Sequence, residues 1–471
     1  MASAEAISPA RTSFYPPRIV PPAKLPGRPL LLFRLLSDSL RCIPESVYRE
    51  PIVVFRRRPA VAYVTDPDLI RTILVDRREL FPKPELQKLL LRPLAGDGLL
   101  LAEGQNWRWQ RLIAAPLFKH AEIMVDVPVM VACAERLVEQ WRMAAPASVH
   151  AIDKDMTRVT YDVISHTVLA GCGAEFGEMI AEGAARYFSG ATWSYLFALL
   201  ELPTWLPRPG RRVMRLEKSR LRRTIGEMIR RRRATTGEAR DLFSRLVHAA
   251  HPETGERMSD EQLVDNLLTF LIAGHDTTAK ALTWTLYLVS KSPEWETRML
   301  EEIERFVPSG PITGQHIDKL VIVQQVLKEG MRLYPSFPET SRVAARDVEL
   351  GGEFIAAGTF IDLPIYAIHR HHKLWDDPDR FDPGRFALDN VAKHSRYQFM
   401  PFGGGPRVCI GAAFALSEGT ALLATFVRAA RFRCPPGFEP VPVARLSLAP
   451  KGGMPLQVTM RNCSPAKDVG K

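Results

Sequence analysis

The feature that most constrains this chain is a glycine-rich loop, FMPFGGGPRVCIG, at Phe399–Gly411. Cys409 is the one cysteine in the loop, and an apolar string that predicts a helix over about Gly411–Ala430 follows it. A cysteine just ahead of a helix receives amide hydrogen bonds and the positive end of the helix dipole, which favour the thiolate. An isolated cysteine is more often a small buried residue. The surrounding residues must therefore decide between an inert thiol and a metal ligand.

The six cysteines show no paired spacing, which argues against a disulfide framework or a zinc module and indicates a reducing compartment. The chain has 471 residues, of which 46% are hydrophobic, so it can bury a large core without covalent staples. The cysteines are Cys42, Cys133, Cys172, Cys409, Cys434 and Cys463.

The amino-terminal segment predicts no targeting peptide or membrane anchor. Residues 1–28 are rich in proline and form an irregular arm in this interpretation, and residues 29–471 form one large domain. The nearest apolar run, Leu30–Leu36, is interrupted by Arg34, whereas a membrane-spanning helix needs about 20 apolar residues. The chain is therefore expected to be cytoplasmic, without a transmembrane span.

A strongly basic segment lies at Arg211–Arg233, with eleven basic and two acidic residues in a chain of net charge +11. Met214, Leu221, Ile225 and Met228 recur at helical spacing, which predicts a helix with one apolar and one cationic face. Such a face is most often simply solvated. The alternatives are an acidic protein partner or an anionic membrane surface, and we favour peripheral membrane contact. Nucleic acid is disfavoured because no nucleic-acid motif accompanies the charge.

The order of predicted elements indicates a mainly α fold with small β-sheets. Short strands are expected in 46–76 and 347–364, and long amphipathic helices from about Asn106 to Met331. A terminal hairpin is expected near Leu446–Met460. Strands and helices do not alternate, which disfavours a doubly wound nucleotide-binding fold.

Five positions of the glycine-rich loop match the pattern F-x-x-G-x-R-x-C-x-G and thereby resemble the cytochrome P450 family. They are Phe402, Gly405, Arg407, Cys409 and Gly411. The resemblance implies a haem b cofactor whose iron takes Cys409 as its axial thiolate ligand. Phe402, Gly403 and Gly411 would surround the cofactor, and the glycines would give clearance for a porphyrin.

The long apolar segment Leu267–Val289 carries a polar interruption, AGHDTT. Threonine hydroxyls inside a helix capture backbone carbonyls, which predicts a local opening beside a proton-bearing pair. The string resembles the oxygen-activation motif of the family. This implies that Thr277 orients dioxygen and water, that Asp276 gates proton entry, and that Ala273 faces the cofactor.

Other motifs of the family follow in the expected order. Glu329 and Arg332 form an E-x-x-R pair, and the later string PDRF supplies Arg380 as the third member of a structural trio. For the two haem propionates, the resemblance implies contacts from Trp107 and Arg111 of a W-x-x-x-R motif, from Arg342 and from Arg407. The run of histidines at 369–372 lacks metal-ligand spacing.

The resemblance implies a monooxygenase that inserts one oxygen atom from dioxygen into a small apolar, lipid-like or terpenoid substrate. The predicted pocket includes the Lys88–Leu101 loop, residues 186–200, Phe270, Ala273 and the turn PSFPET. Electrons would come from a separate ferredoxin or flavodoxin with its reductase. Two alternatives stay open: a peroxide-dependent or oxygen-independent haem-thiolate enzyme, and a non-catalytic haem sensor.

Overall fold

The computed structural model describes residues 13–56, 60–168, 205–234 and 241–461, together with Gly183, Arg186, Tyr187, Trp193, Phe197 and Pro203. Helices dominate this part of the chain and the strands form small sheets, which confirms the predicted fold class. The predicted amino-terminal arm is irregular from Ser13 to Gly27, and the first helix begins at Arg28. None of the helices within these ranges combines the length and apolar character that crossing a membrane requires.

Most of the helices are amphipathic or buried, as the apolar spacing predicts. In chain order they are α1 (Arg28–Ser37), α2 (Pro67–Arg71), α3 (Glu85–Ala95), α4 (Gly104–Ala114), α5 (His120–Met143), α6 (Ile152–Val168), α7 (Arg211–Ala234), α8 (Leu242–His248), α9 (Asp260–Ser290), α10 (Pro293–Phe306), α11 (Gly314–Ile317), α12 (Val321–Leu333), α13 (Ile365–Ile368), α14 (Leu388–Val391) and α15 (Ala412–Ala429). Short 3₁₀ turns lie at Ser39–Cys42, Glu45–Tyr48, Arg78–Leu80, Ala115–Phe118, Pro383–Phe386 and Gly405–Arg407, and a π-helical turn at Thr72–Asp76.

The long helix α9 is the central element of the core. It begins with a capping box in which the Ser259 and Gln262 side chains each accept a hydrogen bond from the other residue's backbone N–H. Its carboxyl-terminal half is buried from Thr278 to Ser290, except for the partly exposed Lys280. Helices α6, α7, α12 and α15 all pack against it, so α9 positions whatever its middle segment carries.

The strands form four sheets among the described residues. The largest has the order β1 (Ile52–Phe55), β2 (Val61–Val64), β7 (Phe360–Leu363) and β4 (Thr340–Val343), with β2 and β7 parallel. A second sheet joins β3 (Val149–Ala151), β11 (Pro455–Met460) and β8 (Ala430–Arg433), and two hairpins pair β5 (Val348–Leu350) with β6 (Glu353–Ile355) and β9 (Pro442–Ala444) with β10 (Leu448–Pro450).

The predicted terminal hairpin at Leu446–Met460 is wrong. Strand β10 pairs with β9, which precedes it, whereas β11 pairs with β3 and β8. Local turn signals do not reveal these partners, because β3 lies some 300 residues earlier in the chain and the contact forms only in the packed fold.

Glu329 and Arg332 of α12 form a fully buried ion pair, as their spacing predicts. Arg332 donates to both carboxylate oxygens of Glu329, from Nε at 2.6 Å and from Nη2 at 2.8 Å. The same guanidinium donates to the backbone carbonyls of His369, Pro378 and Arg380. An arginine has five N–H donors, and Arg332 makes five hydrogen bonds here, two to Glu329 and three to backbone carbonyls. The pair therefore fixes the long segment that leads to the Cys409 loop.

The prediction that the Arg380 side chain completes this trio is wrong. Its guanidinium lies beside the carboxylates of Asp377 and Asp382, and only its backbone carbonyl contacts Arg332. The guanidinium near Glu329 belongs to Arg385, with Nε 3.7 Å from Oε1. The physical reason is the 3₁₀ turn at Pro383–Phe386, which directs Arg385 inward while leaving Arg380 partly exposed.

His369 connects the buried ion pair to the start of the glycine-rich loop. Its Nδ1 lies 3.1 Å from the carbonyl oxygen of Arg332, and its Nε2 accepts a hydrogen bond from the Met400 N–H at 2.8 Å. Burial, assisted by the Arg332 charge, lowers the pKa of His369 to about 3, so the ring is neutral and donates through Nδ1. The histidine is thus a structural link in this fold.

Candidate active site

The loop before Cys409 is shaped by glycines that pack against the protein itself. Gly405 has φ of 67°, and a Cβ there would lie 2.8 Å from the Leu74 carbonyl oxygen. A Cβ at Gly404 would lie 2.9 Å from the Tyr397 ring. By contrast, a Cβ at Gly403 would meet no atom within 4 Å. The predicted clearance for a flat group therefore fits Gly403, whereas Gly404 and Gly405 are required by the protein's own packing.

Cys409 sits where the sequence predicts, directly ahead of α15. Its N–H donates to the Phe402 carbonyl at 3.0 Å, which closes the loop, and Gly411 is the residue before the helix. Of the four cysteines in the described part of the chain, Cys409 is the exposed one. An accessible thiol held by a closed loop is suited to bind an added group.

The electrostatics of the thiol correct one expectation. Cys409 is exposed but is enclosed by surrounding protein, and this desolvation raises its pKa; the Gly411 amide and the Arg111 charge lower it by smaller amounts, so the net direction is upward. The helix terminus alone does not produce a thiolate here. A coordinated metal cation deprotonates a cysteine outright, and the amide and Arg111 then stabilise the anion.

Arg407 and the W-x-x-x-R motif meet beside the loop. The Arg407 guanidinium lies 4.6 Å from the centre of the Trp107 ring and donates to the Ala102 carbonyl at 2.7 Å. Trp107 and Arg111 share α4, and Arg111 is close enough to Cys409 to act on its pKa. Both cations are half-buried, and the resulting desolvation lowers the pKa of Arg111 and of Arg407.

Arg342 and an unpredicted residue, Lys83, complete a cationic cluster around Arg407. Burial and the charge of Arg407 lower the pKa of Arg342 to about 10. Burial, followed by Arg407 and Arg342, lowers the pKa of Lys83 to about 7. Glu103 is the carboxylate that acts on all three groups.

This cluster fits the two carboxylates of a haem. Partly buried like charges repel one another and lose hydration, so they need an anionic partner. Arg342, Arg407 and Lys83 share one nearby carboxylate, Glu103, so positive groups outnumber negative ones here, and Arg111 acts on the Cys409 thiol. The residues present therefore match a flat, doubly anionic metal complex with a thiolate ligand.

Lys83 gives this fit a pH signature. Because its pKa is lowered to about 7, the folded haem-free chain holds fewer protons than the unfolded chain between about pH 7 and about pH 10, and its stability rises with pH across that window. We expect Lys83→Met to remove this rise of stability with pH in urea unfolding experiments.

We also expect haem binding at about pH 8 to take up a proton in the parent chain but not in Lys83→Met, because the propionates restore the ammonium form of Lys83. Titration calorimetry in buffers of different ionisation enthalpy measures this uptake, and equal uptake by both chains would contradict it.

The AGHDTT segment lies in the middle of α9, which remains helical from Asp260 to Ser290. The Thr277 hydroxyl donates to the Ala273 carbonyl at 2.9 Å, and the Thr278 hydroxyl to the Gly274 carbonyl at 3.3 Å, which confirms the predicted carbonyl capture. The helix does not break at this segment, so the predicted local opening of the helix is not observed. Ala273 is exposed, whereas a Cβ at Gly274 would lie 2.8 Å from Ile164 of α6.

Asp276 points toward a solvent-accessible edge of the helix. One carboxylate oxygen lies 3.4 Å from Lys280 Nζ, and the other accepts a hydrogen bond from Ser447 Oγ at 3.0 Å. The Asp276 side chain keeps 39% of its surface exposed. It therefore connects solvent to the Thr277 turn, and Lys280 and Ser447 hold it there.

Several site residues carry no recognisable signal in the sequence. Lys83 follows a proline in a loop, and Ser447 lies in a loop far from α9 along the chain. Arg385 had a signal, because the pattern P-x-R-F occurs twice, at 378–381 and at 383–386. The first copy contains the predicted Arg380, whereas in the structure it is Arg385 of the second copy that lies beside Glu329.

Comparisons with known proteins agree with this geometry. A family model described as Cytochrome P450 matches residues 46–456. Cyclooctat-9-en-7-ol 5-monooxygenase from Streptomyces melanosporofaciens is 31% identical over 438 residues, which cover 92% of this chain and 94% of the relative. A cytokinin hydroxylase from Arabidopsis thaliana is 30% identical, with 83% of this chain and 77% of the relative covered.

Solved structures give the same result. The crystal structure of the cytochrome P450DA heme domain superposes with a TM-score of 0.77 and 27% sequence identity, and covers 87% of this chain and 90% of that domain. The region that the family model matches, residues 46–456, includes both the Cys409 loop and the AGHDTT segment of α9. The chain belongs to the cytochrome P450 family and is a haem-thiolate monooxygenase of that family.

Proposed function

We propose that this cytochrome P450 holds haem b and inserts one oxygen atom from dioxygen into an apolar, lipid-like or terpenoid substrate. The observation that carries the proposal is the accessible Cys409 thiol beside the cationic cluster of Arg342, Arg407 and Lys83. When bound, haem supplies the oxygen chemistry, while the protein binds and orients the reactants.

The residues of this chain then have separate tasks. Cys409 would bind the haem iron through its thiolate, and the Gly411 amide and Arg111 would stabilise the negative charge of that sulfur. Trp107 and the cationic cluster orient the cofactor through its propionates. Phe402, whose carbonyl accepts from the Cys409 N–H, and Gly403, where a Cβ would meet no atom within 4 Å, would contact the cofactor beside Cys409.

Proton delivery falls to Asp276 and Thr277. Asp276 is the accessible carboxylate, and the Lys280 and Ser447 contacts orient it at the solvent edge. The Thr277 hydroxyl donates to the Ala273 carbonyl, so its oxygen lone pairs remain free to accept a hydrogen bond from water. A proton from Asp276 thus reaches the dioxygen site through water held at Thr277.

One apolar residue of the predicted pocket, Phe337 of the PSFPET turn, lies beside the segment that carries Thr277. Phe337 follows Ser336, whose hydroxyl donates to the Thr277 carbonyl at 2.7 Å, and 42% of the Phe337 surface is exposed. Phe270 is buried and packs edge-on against Phe118, so this predicted pocket residue belongs to the core. Of the predicted segment 186–200, only Arg186, Tyr187, Trp193 and Phe197 fall within the described residues.

The names of several relatives support an apolar polycyclic or lipid-like substrate. One acts on cyclooctat-9-en-7-ol, another on 11-oxo-beta-amyrin, and a third is a taurochenodeoxycholic 6 alpha-hydroxylase. A screen of terpenoids and fatty acids for a shift of the iron spin state tests this class. Binding by polar compounds alone would contradict it.

Electrons come from a separate protein in this proposal. Exposed arginines surround the Cys409 loop: Arg78 acts on the pKa of Arg407, and Arg108 lies on α4 beside Trp107. Such a face complements an acidic ferredoxin or flavodoxin. Reduction is expected to slow steeply with added salt, and a salt-independent rate would contradict the pairing.

Thr277→Ala is the variant that separates a dioxygen-dependent monooxygenase from a peroxide-dependent or oxygen-independent enzyme. Without the hydroxyl, the water that Thr277 would hold loses its hydrogen-bond partner, so electron consumption should continue while product formation falls at least several-fold. Thr277→Ser is the matched control, because it keeps the hydroxyl. The measurement is product formed per reduced nicotinamide consumed. Unchanged coupling in Thr277→Ala would overturn the proposed mechanism, and a haem sensor would show no turnover in either variant.

The basic helix α7 supports a peripheral contact with an anionic membrane. A cavity of about 460 Å³ at its start is lined by Pro207, Arg208, Gly210, Arg211, Arg212, Val213 and Arg215. Trp205 and Leu216 beside it are 77% and 69% exposed. Arginines with exposed apolar side chains are suited to lipid headgroups and acyl chains. Sedimentation with phosphatidylglycerol vesicles but not with phosphatidylcholine vesicles is expected, and Arg211→Glu with Arg212→Glu should abolish it.

A further inference from the structure

Glu418 is a buried acid that the proposed mechanism does not use. It lies on α15, on the helix that begins just after Cys409, and its side chain is fully buried. Neither carboxyl oxygen completes a hydrogen bond with any residue that the structure describes. Burial raises the pKa of Glu418 to about 8, and a contact with the Thr278 hydroxyl lowers it by a smaller amount. A buried carboxylate without a cation is costly, so the site accommodates the neutral acid.

The groups around Glu418 leave the acid without an ion-pair partner. From α5, Cys133 faces it, and the Arg136 guanidinium beside this cysteine donates to the Cys133 sulfur at 3.1 Å. From α9, the facing group is the uncharged Thr278 hydroxyl. The other elements that pack against α15, including α10 and α12, bring no ionisable group in the described residues that acts on Glu418. Glu418 therefore has Thr278 as its natural hydrogen-bond partner.

Thr278 in turn controls one carbonyl of the AGHDTT segment. Its hydroxyl donates to Gly274 at 3.3 Å, the longest of four side-chain bonds to carbonyls in this segment. The other three are Thr277 to Ala273, Thr160 to His275 and Ser336 to Thr277, at 2.9, 3.0 and 2.7 Å. The backbone beside Thr277 is thus positioned by hydroxyl groups, and Gly274 has the weakest bond.

We propose that Glu418 is a positioning residue for the dioxygen site: as a neutral acid it donates to the Thr278 hydroxyl, which then donates to the Gly274 carbonyl. A hydroxyl has one proton and two lone pairs, so it can accept from Glu418 and donate to Gly274 at the same time. These two hydrogen bonds link α15, which begins just after Cys409, to the segment of α9 that carries Thr277. The inference rests on the proposed function, because it concerns the same site.

Ionisation of Glu418 would reverse the direction of the Glu418–Thr278 hydrogen bond. A carboxylate only accepts hydrogen bonds, so Thr278 would turn its single proton from Gly274 to Glu418. The Gly274 carbonyl would then lose its side-chain partner, one turn of helix from Thr277. We therefore expect the coupling of electron use to product formation to fall several-fold as pH rises through about 8.

The test compares Glu418→Gln with the parent enzyme and with Thr278→Val. Glutamine keeps a donor at every pH, so Glu418→Gln should lose the alkaline fall in coupling, whereas Thr278→Val should be poorly coupled at every pH. Independently of turnover, the parent protein should show an infrared band of a protonated carboxylic acid that is missing from Glu418→Gln and disappears through about pH 8. Haem content and the thiolate spectrum serve as folding controls.

Two results would overturn the inference. One is an infrared spectrum of Glu418→Gln that keeps every carboxylic-acid band of the parent protein. The other is an alkaline fall in coupling that persists in Glu418→Gln. Either result leaves the proposed function standing if Thr277→Ala remains uncoupled. Conversely, normal coupling in Thr277→Ala would overturn the proposed function without affecting the infrared band.

Discussion

Cys409→Ser is expected to abolish dioxygen-dependent turnover and the thiolate character of the bound haem. A serine hydroxyl ionises far less readily than a thiol and is a hard oxygen ligand, so the electron donation that favours O–O cleavage is lost. The Cys409 sulfur is accessible, and replacing it by oxygen removes no core packing, so the variant should fold. Haem content and the reduced carbon monoxide spectrum, measured together, separate loss of the ligand from loss of the cofactor.

Cys434→Ser is the matched control for this variant. Cys434 is half-buried, and its sulfur contacts the Phe438 carbonyl at 3.3 Å, away from the residues of the site. We expect it to keep both the haem and the thiolate spectrum. A Cys409→Ser protein with parental turnover would contradict the ligand role of Cys409.

Arg332→Ala is expected to cost the largest amount of stability among single substitutions in the haem-side core. Removing one member of a buried ion pair leaves the other charge without a partner, which costs about 3–5 kcal/mol. Here Glu329 loses both hydrogen bonds from Arg332 and keeps the more distant Arg385 guanidinium, at 3.7 Å, while the carbonyls of His369 and Pro378 lose their Arg332 donor. That amount is a large part of the about 5–15 kcal/mol that stabilises a typical domain. Urea unfolding and haem retention measure the effect.

Arg380→Ala and Arg385→Ala make this prediction specific. The Arg380 side chain is 32% exposed and pairs with surface carboxylates, so its loss should cost less than about 1 kcal/mol. Arg385 is 10% exposed and faces Glu329, so its loss should be clearly more destabilising. A larger effect of Arg380→Ala than of Arg385→Ala would restore the trio predicted from the sequence.

The parts of the site that the sequence predicts are those fixed by short spacing. The Cys409 loop, the i−4 carbonyl contacts of Thr277 and Thr278, and the Glu329–Arg332 pair each depend on a few neighbouring residues. Local geometry therefore determines them before the rest of the fold is known.

The parts that the sequence does not predict depend on distant segments. Lys83 belongs to the cationic cluster only because its loop packs beside Arg407, and Ser447 contacts Asp276 from the β9–β10 turn. Glu418 appears in the sequence as one polar residue on an apolar helix, and its meaning comes from burial against Thr278. Arg385 and Arg380 share one pattern, and only packing against Glu329 separates them.

The reduced carbon monoxide difference spectrum of the purified, haem-loaded protein tests the central claim most directly. If Cys409 is the axial thiolate, the Soret band moves to the long wavelength that distinguishes thiolate-ligated haem from histidine-ligated haem, and Cys409→Ser loses this band while Cys434→Ser keeps it. A parent protein whose Soret band stays at the position of histidine-ligated haem would contradict the account.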